Sequence, residues 1–114
     1  MSDSGRFWIK LTLTNSSGSI SHVDQNGKAV SLLRLGHYAD VCFHIYGING
    51  HTIQIWGTNE SNPTAETNAV QLGSDITADA LLALETAAIG VFIETGTAGT
   101  GTPTCIITGR HKVG

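Results

Sequence analysis

The residues of this chain that could carry chemistry are its histidines and cysteines, the side chains that most often bind zinc or act as a nucleophile and its base. They are His22, His37, His44, His51 and His111, together with Cys42 and Cys105. None of them falls in an HExxH or CxxC spacing. The sequence therefore predicts isolated surface histidines, no metal site and no cofactor.

Catalysis is not predicted by any other pattern in the chain. No nucleophile elbow, catalytic Cys/His order or paired-acid motif stands out, and we expect a non-enzymatic protein without catalytic residues. The polar start of the chain lacks the apolar run of a signal peptide. Synthesis in a reducing cytoplasm is the resulting expectation, with Cys42 and Cys105 as free thiols.

Composition and charge narrow the classes of partner. The chain has 114 residues, which suits a single domain over 1–114 with flexible ends, and only 13% of them are charged, against roughly 25% in a typical soluble domain. No Lys or Arg occurs between Arg34 and Arg110, and the net charge is −3. Nucleic-acid binding is therefore not expected, and no stretch is long enough to cross a membrane. Low charge density favours a homo-oligomer that covers part of the surface.

The strongest structural signal is a β-hairpin over residues 41–57, where two β-rich runs flank an Asn-Gly pair. A two-residue turn at Asn49-Gly50 would mix apolar and polar side chains on both faces. A three-residue loop, Ile48-Asn49-Gly50, with Gly50 left-handed, sorts them, and the sorted register is predicted. One face is then apolar, and its members are Val41, Phe43, Ile45, Ile53 and Ile55.

The other face of this predicted hairpin carries a polar-aromatic group of side chains. Its principal members are His44, Tyr46, Gln54 and Trp56. Exposed aromatic rings beside amide groups suit a subunit interface or a platform for sugars. Burial of Trp56 beneath a loop or a second layer is an equally weighted alternative. The four residues are candidate interface residues.

The remaining pattern predicts an all-β protein, an antiparallel β-sandwich of the jelly-roll or Ig-like kind. Further strands are predicted over residues 6–14, 20–23, 29–35, 69–72, 89–95 and 103–109. Residues 77–88 are ambiguous, because their Ala, Leu and Glu content favours helix whereas an all-β setting favours strand. We predict one short helical turn there, leading into a strand.

One stretch resembles a known class of protein. It runs Ile-Gln-Ile-Trp-Gly-Thr-Asn-Glu over 53–60, followed by Leu72-Gly73, then Asp75-Ile76-Thr77, then Val91-Phe92-Ile93. This order is similar to that of small β-sandwich structural proteins of tailed bacteriophages, in which a strand ending in Gly-Ser-Asn-Asp precedes a polar loop. Thr58 and Glu60 depart conservatively from that pattern. The resemblance covers roughly the last two-thirds of the chain.

The resemblance implies a head decoration protein, also called a cement protein, usually a trimer that clamps neighbouring capsid subunits. The implied partner is the major capsid protein, and the implied location is the capsid surface of the virion after synthesis in the host cytoplasm. The basic residues near the two ends, Arg6, Arg110 and Lys112, are the candidate capsid contacts. Related strand patterns occur in sugar-binding sandwiches, so a carbohydrate-binding module of a phage tail or spike is the alternative.

Overall fold

The computed structural model describes residues 6–61, 63, 68–84 and 88–111, and within these it contains ten strands and no helix. The strands are β1 (Arg6–Thr12), β2 (His22–Val23), β3 (Ala29–Val30), β4 (Leu33–Arg34), β5 (Tyr38–Tyr46), β6 (Thr52–Thr58), β7 (Val70–Gln71), β8 (Ala80–Ala83), β9 (Gly90–Thr97) and β10 (Thr104–His111). No helix in the described part of the chain is long and apolar enough to span a membrane. Of the flexible ends that the sequence predicts, 1–5 and 110–114, residues 1–5 and 112–114 lie outside the described residues, whereas Arg110 and His111 belong to β10.

Two antiparallel sheets form a β-sandwich, which confirms the predicted fold class. The six-stranded sheet has the order β3-β2-β1-β10-β5-β8, and the four-stranded sheet has the order β4-β9-β6-β7. Both sheets contribute apolar side chains to one buried core. The six-stranded sheet supplies Leu11, Phe43, Ile45 and Ile107, and the four-stranded sheet supplies Ile53, Ile55, Val91 and Ile93. On β1, β5 and β6 these residues alternate with more exposed neighbours, as the period of two of a strand requires, whereas on β9 the intervening Phe92 is buried as well.

The predicted hairpin is wrong, because its two strands belong to different sheets. β5 pairs with β10 and β8, whereas β6 pairs with β9 and β7. The apolar sides of both strands are nevertheless buried, as predicted, since they face each other across the core. Two strands with apolar faces can bury them side by side in one sheet or facing each other from two sheets. The sequence pattern is the same in both cases.

The connection between β5 and β6 is a sharp corner. The backbone N–H of His51 donates to the carbonyl of Ile48 at 2.8 Å, so Asn49 and Gly50 are the two central residues of a turn. Both have positive φ, 40° and 85°, which confirms the left-handed Gly50 but contradicts the three-residue loop. Gly47 also has a positive φ of 76°. Three of the four residues from Gly47 to Gly50 thus have a left-handed backbone conformation. They direct the chain from the six-stranded sheet into the four-stranded sheet.

Two further predictions need correction. Residues 29–35 form two short strands rather than one, because β3 joins the six-stranded sheet and β4 the four-stranded sheet.

No helical turn occurs over 77–84, where β8 is the only regular element, and 85–87 lie outside the described residues. In β8, Leu81 is exposed while Leu82 packs on the core, so pairing with β5 has overridden the helix propensity of Ala and Leu.

Candidate interaction surfaces on the two sheets

The polar-aromatic group predicted on the hairpin is divided between the two outer surfaces of the sandwich. His44 and Tyr46 lie on the six-stranded sheet, with ring centroids 5.2 Å apart. Gln54 and Trp56 lie on the four-stranded sheet, where the indole N–H of Trp56 donates to Oε1 of Gln54 at 3.4 Å. The prediction of one shared face is therefore wrong, since β5 and β6 lie on opposite sides of the core.

The six-stranded sheet turns a broad, weakly charged surface away from the core, which we call the outer face. Strand register sets its side chains in three rows across β1, β10, β5 and β8. The rows are Trp8, Thr108, Cys42 and Ala83; Lys10, Ile106, His44 and Leu81; and Thr12, Thr104 and Tyr46. Lys10 is the one Lys, Arg, Asp or Glu residue in these rows, and the other side chains there are apolar, aromatic, thiol, hydroxyl or imidazole groups.

Two large apolar side chains on the outer face are exposed to solvent. Trp8 is 49% exposed and Leu81 is 71% exposed. Neither was a candidate interface residue in the sequence, although the alternation of β1 already placed Trp8 on the polar side of that strand. Leu81 lay in the stretch of ambiguous secondary structure, and its outward direction required the register between β8 and β5.

The basic candidates gather at one end of this sheet. Arg6 lies opposite Arg110 in the register between β1 and β10, and both are exposed. The guanidinium of Arg110 is paired with the carboxylate of Asp40. Both partners of that ion pair are largely exposed, so it contributes little to stability. Lys112, the third basic candidate, lies outside the described residues.

The four-stranded sheet carries a polar cluster around Asp75. Oδ1 of Asp75 accepts hydrogen bonds from the side-chain amides of Gln71 at 2.7 Å and Gln54 at 3.0 Å. These two bonds favour the charged form and hold the pKa of Asp75 below its usual value. Through Gln54 the cluster extends to the half-buried indole of Trp56. It offers amide, carboxylate and aromatic groups on one surface, the set of groups that sugars commonly contact.

The histidines do not form the uniformly exposed set that the sequence predicted. His37, His44 and His111 are exposed, but His22 and His51 are buried, with 2% and 1% exposure. His22 accepts a hydrogen bond at Nδ1 from the Thr14 N–H at 3.0 Å. Among the described residues no three His, Cys, Asp or Glu side chains are grouped as metal ligands would be.

The second buried histidine helps to close the corner after β5. Nδ1 of His51 lies 2.6 Å from the carbonyl oxygen of Ile48 and, as the N–H donor, binds it. Its Nε2 is buried and has no hydrogen-bond partner in the described part of the chain. The sequence did not predict a buried imidazole at His51, because only the corner after β5 places this ring in the protein interior.

Both cysteines are free thiols, as predicted. Cys42 lies half-buried on the outer face, while Cys105 points into the core with no exposed surface. Burial raises the pKa of the Cys105 thiol to about 12, so it stays protonated and inert at neutral pH.

Comparisons with protein-family models, curated proteins and solved structures found no match to this chain.

Proposed function

We propose that this chain is a non-enzymatic structural protein of a bacteriophage virion, which decorates or cements the capsid through protein–protein contacts. The observation that carries the proposal is the outer face, where Trp8 and Leu81 are exposed and Lys10 is the one Lys, Arg, Asp or Glu residue in its three rows. Exposed apolar patches of this kind mark protein interaction sites, and aromatic side chains are enriched where partners meet.

Two further features support this role. The pattern from Ile53 to Ile93 resembles that of the small phage sandwiches, and its first and last stretches lie on the neighbouring strands β6 and β9 of this fold. Arg6 and Arg110 form a basic end on the same sheet, suited to an acidic surface on the major capsid protein. In this proposal the protein is made in the host cytoplasm, assembles as a homo-oligomer and resides on the capsid surface. The trimer remains a prediction from the resemblance.

The test is attachment to particles. Purified protein is added to virions produced without it, and bound copies are counted by quantitative mass spectrometry after gradient sedimentation. Hundreds of copies per particle are expected for wild type, with at least a tenfold loss for Trp8→Glu. Val70→Glu is the matched control, because Val70 is 67% exposed on the other sheet. Absence of the wild-type chain from particles would refute the proposal.

A carbohydrate-binding module of a tail or spike is the second candidate, and the Asp75 cluster is the observation that favours it. Here Trp56 would stack on a sugar ring while Gln54, Gln71 and Asp75 bind its hydroxyls. Binding to a glycan array should then be lost in Trp56→Ala and kept in Trp8→Ala. A few copies per particle, together with that result, would replace the decoration proposal.

A further inference from the structure

The edge strand β8 differs from the other three sheet edges of the sandwich. The edges β3, β4 and β7 are two residues long; β3 follows Lys28, and β4 contains Arg34. β8 is twice as long, reads Ala-Leu-Leu-Ala, and contains no charge and no proline. Proteins commonly guard edges with short strands, Lys or Pro, because an open edge recruits another strand. β8 has none of these guards within Ala80–Ala83.

The backbone of β8 has unpaired groups on its open side. The N–H of Leu84 donates to the carbonyl of Val41 at 2.8 Å, which makes these two a hydrogen-bonded pair of the antiparallel ladder. Since such pairs alternate along a ladder, Leu82 bonds with Phe43, whereas the N–H and C=O of Leu81 and Ala83 point away from β5. In the described part of the chain β8 pairs with β5 alone.

The apolar side chains along this edge are also incompletely covered. Leu81 is 71% exposed on the outer face. On the opposite side of the strand, Ala80, Leu82 and Leu84 pack against the core but remain only half-buried. One added strand would therefore satisfy backbone groups and cover apolar surface on both faces of the sheet at once.

We propose that the strand added to β8 is β8 of a second copy of this chain, paired antiparallel across a twofold axis. Ala80–Ala83 carries no charge, so two copies of the strand can meet without like-charge repulsion, and a twofold axis presents each copy with the same edge. With Leu81 of each copy opposite Leu81 of the other, each donates to and accepts from its counterpart, and Ala83 meets Asp79. This register keeps outer-face residues on one side of the joined sheet, as the strand period requires.

The pairing makes the two outer faces continuous. Leu81 lies beside His44, and His44 lies beside Ile106 in the same row. In the dimer this row would run without interruption from Ile106 of one copy to Ile106 of the other. The inference rests on the homo-oligomer in the proposed function and names its interface. It predicts two copies, whereas the resemblance implies three.

Light scattering of the isolated protein at micromolar concentration tests the stoichiometry. Wild type is expected at twice the mass of the chain, and Leu81→Lys at the mass of the chain. Val70→Lys is the matched control, since Val70 is an exposed apolar residue on the edge strand β7, and it should keep the doubled mass. A monomeric wild type, or any oligomer that Leu81→Lys leaves intact, overturns the inference.

Two measurements locate the interface on the backbone. Ala83→Pro removes an N–H from the open side only, so it should give a folded monomer, shown by an unchanged circular dichroism spectrum. Hydrogen exchange at Leu81 and Ala83 should slow as protein concentration rises, while Leu82 and Leu84 stay protected throughout. Concentration-independent exchange at Leu81 and Ala83 overturns the inference.

Particle attachment separates this inference from the proposed function. A monomer that still decorates particles refutes the β8 pairing and leaves the decoration role standing. A dimer that depends on Leu81 but never attaches to particles supports the pairing and refutes the decoration role. Protection of Leu81 and Ala83 that arises only on capsid addition assigns the edge to another chain and overturns the pairing.

Discussion

The imidazole of His22 joins the two sheets of the sandwich, because its Nε2 lies 2.6 Å from the carbonyl oxygen of Ile93. His22 is on β2 of the six-stranded sheet, and Ile93 is on β9 of the four-stranded sheet. With Nδ1 accepting from the Thr14 N–H, the ring must be neutral and carry its proton on Nε2. A buried donor and a buried acceptor are thereby satisfied at the same time.

This bond predicts a loss of stability in mild acid. Burial lowers the pKa of the His22 imidazole below its ordinary value of 6.5. At pH values just below 6.5, His22 therefore binds a proton in the unfolded chain but stays neutral in the folded chain. The free energy of unfolding should therefore fall as pH drops from 7 through about 6.5 and level off below the folded-state pKa, with a slope of at most about 1.4 kcal/mol per pH unit.

Urea unfolding of wild type and His22→Gln between pH 4.5 and 8 measures this effect. His22→Gln should lose the part of the slope that His22 supplies, whereas His44→Gln, at an exposed position, should keep it. Equal pH dependence in His22→Gln and wild type would contradict the assignment. Asp75 affects stability in a separate, more acidic pH range. Its pKa is lowered in the folded chain, so the stabilisation of its charged form is lost only as pH falls through that lowered pKa.

Ile53 should be among the most costly core positions to truncate. Its side chain has no exposed surface and lies between the two sheets, so Ile53→Ala leaves a cavity and should reduce the free energy of unfolding by about 2–5 kcal/mol. Val70→Ala, at 67% exposure, should change it by less than about 0.5 kcal/mol. Chemical denaturation checks both, and similar small effects would show that the core is misassigned.

Gly99 should not tolerate a side chain. A Cβ at this position would lie 2.5 Å from the carbonyl oxygen of Asn49 and 2.6 Å from the backbone nitrogen of His51, because the two connections between the sheets run side by side here. Gly99→Ala must push these backbones apart and should lower stability by about 1–3 kcal/mol.

Gly36→Ala is the control for Gly99→Ala, since its Cβ would meet Ile89 only at 3.6 Å, an ordinary contact. Thermal unfolding of both variants compares them directly. A stable Gly99→Ala protein would show that the two connections lie farther apart than the structure indicates.

The two thiols should react at different rates in the folded protein. Cys42 is half-buried on the outer face, whereas Cys105 is fully buried with a pKa raised to about 12. A maleimide followed by mass spectrometry should label Cys42 first and Cys105 only after denaturation. Failure of both to react in denaturant without reductant would reveal a disulfide and overturn the assignment of free thiols.

Much of the local structure was predictable from the residue pattern. The alternation of Phe7, Ile9 and Leu11 with polar neighbours predicted β1, and the apolar sides of β5 and β6 were correctly assigned to the core. The Asn-Gly pair also predicted left-handed backbone at Gly50. These predictions succeed because the direction of side chains along a strand and the conformation of a turn are determined by a few consecutive residues, which the sequence shows directly.

The sequence by itself thus determined that this is an all-β sandwich with a low-charge surface, two free thiols and these buried strand faces. Only the tertiary structure decided which strands are neighbours, because the corner at Gly47–Gly50 sends β6 to the opposite sheet. That choice separates His44 from Trp56 and leaves β8 at an edge, while the packing of the two sheets buries His22 and His51. Each outcome depends on contacts between distant residues, whose free energies arise from packing the two sheets together rather than from local preference.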